Sequence, residues 1–261
     1  MSQTLQDCGS YEFLTPHAHI PEQLLIIERA ARTCYQSFDE EKHGTMESAS
    51  KMVRMLINFE HYSMLGFGHL AVRFKSCSRG FTHEVVRHGP ARYAQESTRY
   101  VKYGKDGHEA RAVAPDGITP EQFDAFDVAF QAAFDAYGKL RETGMRPEWA
   151  RQVLPTGLVS EICMAANFQE WRHVFHMRCD RPAHPEIRSI MCDLLVDLKG
   201  LIPVMFDDFI LAGEHNGAPY YMKSDSNGHL HRQLLLLKRT NPERLKALLE
   251  VLEETNEKEQ P

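Results

Sequence analysis

The stretch "TPEQFDAFDVAFQAAFDAYGKLRETG", residues 119–144, constrains the fold more than any other. Phe123, Phe126, Phe130, Phe134 and Tyr137 recur every three or four positions, which sets five rings on one face of a helix. Thr119 is placed to cap that helix, Pro120 fits its first turn, and Gly144 ends it. Such an aromatic stripe belongs to a core or a subunit interface far more often than to a cofactor box.

Further helical periods flank it. In "PEQLLIIERAARTCYQSF", Leu24, Ile27, Ala31 and Cys34 share a face. In "TMESASKMVRMLINFEHYS", Thr45 is a cap and Met52, Met55, Leu56 and Phe59 form the stripe. Ile187, Ile190, Met191, Leu194 and Leu198 repeat in the same register. "HLAVRFKSCSRGF" instead alternates, with Leu70, Val72 and Phe74 opposed to Ala71, Arg73 and Lys75, as a half-buried strand does. "TGLVSEICMAANF" reads as a second strand, leading into a helix that begins near Asn167. The Gly-rich, charged segment 104–118 reads as a loop, and the C-terminal part as two more helices, the last being "NPERLKALLEVLEETNEKEQ" with a solvated tail.

At 261 residues the default is one domain, and 43% hydrophobic with 25% charged residues is ordinary globular composition. A net charge of −6 and a pI near 6.2 argue against bulk nucleic-acid binding, which relies on a strongly basic face. The six cysteines show no CxxC and no framework spacing, which favours reduced intracellular thiols. The N-terminus lacks a secretory pattern, and no apolar run approaches the roughly 18 residues of a membrane span, so a cytoplasmic protein is expected.

Against this background "RHGPARYAQESTRY", residues 87–100, stands out: three arginines, a histidine, a serine and two tyrosines without Leu, Ile or Val. Arginine presents a rigid fork of donors suited to phosphate or carboxylate, so Arg87, His88, Arg92 and Arg99, with Ser97 and Tyr100, suit an anionic ligand. A solvated or ion-paired face accounts equally well for composition alone. Two further clusters, "RPEWARQVLP" at 146–155 and "NFQEWRHVFHMRCDRPAHPEIR" at 167–188, carry the same two readings. His61, His69, His83 and His88 fall close together, as do His173 and His176, but no HExxH or acidic ligand spacing accompanies them, and no metal site is expected. There is no GxSxG, GxGxxG or GxxxxGK[ST], so a nucleophile elbow, a Rossmann fingerprint and a P-loop are all missing.

Taken in order, these clusters resemble the flavin-dependent thymidylate synthases. That family's signature is Arg-His-Arg, seven residues, then Ser, and Arg87-His88-Gly89 followed by Ser97 matches it except at the third position. "QESTRY", "AARTCY", "HYSML", "ARQVLP" and the 167–188 cluster resemble its other blocks, over roughly residues 25–210. The resemblance implies an α+β fold, a single domain over 1–261 with a central, largely antiparallel sheet flanked by helices, a C-terminal helical extension at 211–261, and a homotetramer whose sites form where subunits meet. It also implies bound FAD and conversion of dUMP to dTMP, with methylenetetrahydrofolate as carbon donor and NADPH as reductant.

Carried over residue by residue, the resemblance assigns Arg87, Gln95, Ser97, Arg99, Arg151 and Arg178 to the nucleotide, with Ser97 and Arg178 at the reacting centre. It assigns His61, Ser63, Arg87, His88, Gln95, Asn167 and His173 to the flavin. Ser97 is expected to be a ligand contact and not a covalent nucleophile. Gly89 removes a guanidinium that the family uses on the flavin, Arg92 is expected to compensate three positions on, and Pro182 replaces a polar contact. A C5-alkylating enzyme for another pyrimidine nucleotide such as UMP, and a catalytically silent nucleotide-binding scaffold, are the alternatives.

Overall fold

The alternation at residues 69–78 becomes the longest described strand, with Leu70, Val72 and Phe74 buried on one face. The computed structural model describes residues 3–6, 9–101, 103 and 109–224. In chain order the elements begin with β1 (Gln3–Gln6), β2 (Ser10–Phe13), α1 (His19–Thr33), α2 (Met46–Asn58), a 3-10 segment (Tyr62–Phe67), β3 (His69–Ser78), α3 (Arg79–Val85) and β4 (Arg92–Gln95). They continue with β5 (Arg111–Ala114), α4 (Pro120–Glu142), α5 (Pro147–Ala150), a 3-10 turn (Arg151–Val153), β6 (Val159–Asn167), α6 (Phe168–Arg178), α7 (Pro185–Leu201), α8 (Pro203–Phe206), β7 (Phe209–His215) and β8 (Ala218–Lys223).

The central sheet runs β2-β3-β6-β4 with every pairing antiparallel, the mixed α/β arrangement with an antiparallel sheet that was expected. Ser76, at φ 54°, accompanies a register shift between Phe74 and Cys77 in β3. β3 leads directly into α3, whose first turn is capped by Ser78. Ile27 of α1, Val53 of α2, Trp171 and Phe175 of α6 and Leu194 of α7 are fully buried in the main core with Val72 and Phe74 of the sheet. Trp171 also donates its indole N–H to the Leu70 carbonyl at 3.1 Å. Each large apolar side chain so buried stabilises the fold by about 1.5–3 kcal/mol.

The stripe on α4 lies elsewhere. Phe130 and Tyr137 are buried in a second cluster with Tyr103, Ala112 and Leu158, while Phe126 and Phe134 are partly covered. Thr119 and Gln122 form the expected cap as a reciprocal box.

Four expectations change. In α2 the buried positions are Ala49, Val53, Leu56 and Ile57, whereas Met55 is exposed, so the buried face is rotated from the expected stripe. The loop expected at 104–118 contains β5, which pairs in parallel with β1; extended backbone at Arg111–Ala114 gains a ladder that only a distant strand could offer. Residues 104–108 lie outside the described residues.

The helical extension expected at 211–261 begins instead as the β7–β8 hairpin. Asn216 and Gly217, at φ 49° and 72°, supply the two left-handed positions of a tight hairpin turn, a signal present in "EHNGAP". The remainder, including the helix expected at "NPERLKALLEVLEETNEKEQ", lies outside the described residues. Finally, the arginines of the 167–188 cluster divide instead of forming one solvated face. Buried Arg172 pairs with Asp208 and buried Arg188 donates to the carbonyls of Arg181, Ala183 and His215, so both tie helices to the hairpin region. Among the described residues, no helix is long and apolar enough to cross a membrane.

Candidate active site

The short helix α3 is held firmly at its start. Ser78 Oγ accepts from the Phe81 N–H at 3.0 Å, and Glu186 of α7 accepts from Ser78 N–H at 2.7 Å and Ser78 Oγ at 2.6 Å. The turn after α3 is held by Tyr93 of β4, whose hydroxyl lies 2.8 Å from the Val85 carbonyl and 2.7 Å from that of His88. Burial pushes the Tyr93 phenol up to about 12, so it stays protonated and donates. The result is a buried His88, 5% exposed, flanked in sequence by exposed Arg87 and Gly89.

Arg178, the last residue of α6, donates from Nε to His88 Nε2 at 3.1 Å. Arginine Nε always carries hydrogen, so His88 Nε2 is the acceptor and the neutral ring holds its proton on Nδ1. Burial first, then the positive charge of Arg178 and the neighbouring His173, lower the His88 pKa to about 4, keeping the ring neutral near pH 7. Nδ1 faces Glu170 Oε1 at 3.3 Å, and that buried oxygen has no hydrogen-bond partner among the described residues. Burial also raises the Glu170 pKa. The rings of His173 and His88 meet edge to face at 5.6 Å.

His88, Glu170 and His173 bring potential ligand atoms within 4.8 Å of one another, a grouping that sequence spacing did not show. The tautomer opposes a metal there: the Nε2 lone pair is engaged by Arg178, and Nδ1 carries the ring's hydrogen. Beside the group lies a cavity of about 390 Å³, lined by Tyr62, Gln169, Glu170, His173, His176 and Lys223 among others. Exposed His61 and Ser63 flank Tyr62 in sequence. Asn167 caps α6, accepting from the Glu170 N–H at 2.9 Å, so it has a structural task in addition to the one expected of it.

The remaining predicted residues form a more exposed rim. Arg151 donates to Thr98 Oγ1 at 3.1 Å, bringing the second cluster against the first. Ser97 Oγ accepts from the Arg99 N–H at 3.3 Å, and Gln95 Nε2 donates to Thr82 of α3 at 2.7 Å. Thus α3 adjoins both groups, Thr82 touching Gln95 and Glu84 touching Arg178. Arg87 and Arg99 make no side-chain hydrogen bond or ion pair with any described residue and remain exposed. Arg92 stands exposed on β4 and, among the described residues, reaches only its neighbour's carbonyl, Ala91 O, at 3.4 Å. A Cβ added at Gly89 would meet nothing within 4 Å, so this position is open and not compelled to be glycine by packing.

Sequence reasoning missed Glu84, Glu170, Tyr93 and Thr98. Glu170 and His173 are one helical turn apart, a weak sequence signal; Glu84 had none, because its partner lies 94 positions away.

The family model described as "Thymidylate synthase complementing protein" matches residues 17–204. The flavin-dependent thymidylate synthase of Geobacter sulfurreducens is 33% identical over 193 residues, 73% of this chain and 83% of that protein. That of Mycolicibacterium vanbaalenii is 33% identical over 201 residues, 70% and 78% of the two chains. Among solved structures, thymidylate synthase X from Helicobacter pylori, determined with FAD and dUMP, superposes with a TM-score of 0.61 at 22% identity, covering 77% of this chain and 98% of that one. A UMP/dUMP methylase from Streptomyces cacaoi gives a TM-score of 0.65 at 20% identity over 78% and 95%. With the signature block, the antiparallel sheet and more than half of the chain matched, this protein belongs to the flavin-dependent thymidylate synthase family and is an enzyme of that kind.

Proposed function

We propose that the chain, acting as one domain over 1–261, binds FAD and converts dUMP to dTMP, with methylenetetrahydrofolate as carbon donor and NADPH as reductant, in a cytoplasmic homotetramer. The observation that carries this reading is the 3.1 Å contact between Arg178 and His88, which joins the arginine expected at the nucleotide to the histidine expected at the flavin. Exposed Tyr100 and Trp149 near the rim arginines in sequence are consistent with a site completed by a neighbouring copy.

The residues present suit FAD. Its pyrophosphate needs cationic donors, and Arg87 and Arg92 are exposed, with His61, Ser63 and His173 offering further polar contacts. The unpartnered Glu170 oxygen provides a buried acceptor close to His173. The flavin would supply the redox chemistry of the reaction. The chain's part is to bind and orient the nucleotide: Arg87, Arg99 and Arg151 meet the phosphate dianion, with Gln95 and Ser97 as neutral contacts. Arg178 would face the pyrimidine and stabilise negative charge on the ring, which is what makes C5 nucleophilic.

The decisive test is turnover with FAD, NADPH, methylenetetrahydrofolate and dUMP, following dTMP. Product formation supports the reading; flavin bound without dTMP overturns it. A second reading, methylation of UMP, draws support from the Streptomyces cacaoi neighbour, solved with 5-bromo-dUMP and with 5-bromo-UMP. Competition between dUMP and UMP separates the two, and colourless protein that takes up no added FAD would favour a silent scaffold.

A further inference from the structure

Arg178 has five N–H hydrogens, and three are already directed. Nε donates to His88 Nε2 at 3.1 Å, Nη1 to the Glu84 carboxylate at 2.8 Å, and Nη2 to the Glu84 carbonyl at 3.0 Å. One residue therefore grips both ends of the guanidinium, with its side chain and its backbone. That grip is anchored, because α3 is capped by Ser78, held at its start by Glu186 and braced by Gln95 through Thr82. The Arg178 side chain is 15% exposed and that of Glu84 is 33% exposed, so the pair sits at the wall of the site and not out in solvent.

We propose that Glu84 is a positioning residue: it fixes the plane of Arg178, and through Arg178 the tautomer of His88, so that one carboxylate sets a nucleotide contact and a flavin contact together. This rests on the roles proposed above for Arg178 and His88. Two Arg178 hydrogens, one on each Nη, are left for a ligand, so Glu84 orients the arginine without exhausting it. The alternative is competition, in which an incoming nucleotide must displace Glu84 before Arg178 can act.

Two variants separate these. Glu84→Gln keeps a side-chain oxygen for Nη1, whereas Glu84→Ala leaves only the backbone half of the grip. The first readout is independent of turnover: ring ¹⁵N shifts of His88, assigned by their loss in His88→Gln, with the melting transition confirming that each variant folds. Wild type and Glu84→Gln are expected to hold the proton on Nδ1, and Glu84→Ala to show a mixture of tautomers. The second is steady-state kinetics with dUMP, where Glu84→Ala should lower kcat by about thirtyfold with a smaller change in KM, and Glu84→Gln should recover most of it. Unchanged His88 shifts in folded Glu84→Ala would overturn the proposal. So would tighter dUMP binding in Glu84→Ala, which marks a competitor, or a loss in Glu84→Gln equal to that in Glu84→Ala. Absence of dUMP turnover in wild type would overturn the parent reading instead, and the His88 shifts would still decide this one.

Discussion

The buried knot around His88 and the exposed rim of Arg87, Arg92, Arg99 and Arg151 use the same residue types in opposite ways. In the knot, Arg178 is partnered by Glu84 and His88, and burial has pushed the imidazole to neutrality. On the rim, Arg87 and Arg99 stand exposed, and neither side chain makes a hydrogen bond or ion pair with a described residue. A partnered, half-buried guanidinium has already been ordered by folding and loses little freedom when a ligand arrives, whereas each exposed arginine must still be immobilised. The knot is therefore suited to orienting the reacting ring, and the rim to capturing charge.

The comparison breaks most readily at Arg178. Arg178→Ala should lower dUMP turnover by about two to three orders of magnitude, measured by dTMP formation, while Arg99→Ala should mainly raise the KM for dUMP. Equal effects on kcat would erase the distinction.

Acid stability probes the knot through His88. His88 takes its proton near pH 4 in the fold and near its ordinary 6.5 when unfolded. Between those values the unfolded chain binds more protons, so the contribution is complete above about pH 6.5 and is lost on acidification towards pH 4, by at most about 3 kcal/mol. Glu170, whose pKa is raised, titrates in the opposite sense and offsets part of this. Denaturant titrations from pH 7 to pH 4 should show the loss, and His88→Gln should flatten it.

On the rim, Arg92→Ala should weaken FAD retention by about tenfold, followed by flavin absorbance after gel filtration, if its charge replaces the one missing at Gly89. Unchanged retention removes Arg92 from the flavin. Smaller still, Ser97→Ala should keep turnover within about threefold, if its hydroxyl is a ligand contact as proposed and not a nucleophile. Gly89→Arg should change stability by no more than about 0.5 kcal/mol, because nothing stands where its side chain would start.

Much of the fold was legible because local periodicity reports which face is buried. The Leu70–Phe74 alternation, the Ile187–Leu198 register and the Thr119 cap all reappear as anticipated. The β7–β8 hairpin carries a local signal at Asn216-Gly217, in contrast to the helical extension expected there. β1 and β5 were not readable, since each short strand is stabilised by a partner about a hundred positions away. Within the site, the signature block drew attention to His88 and Ser97, but composition treated Arg172, Arg178 and Arg188 alike.

By itself, the sequence determined the family, the main helices and the two long strands, and it named the residues proposed to meet a nucleotide and a flavin. Only the tertiary structure decided which arginines are paired within the fold and which stand exposed, that His88 is buried and neutral, and that Glu84 holds Arg178. The physical reason is that burial and ion pairing are properties of groups brought together across the fold. Glu84 and Arg178 lie 94 positions apart and interact over 2.8 Å, a relation that no local pattern encodes.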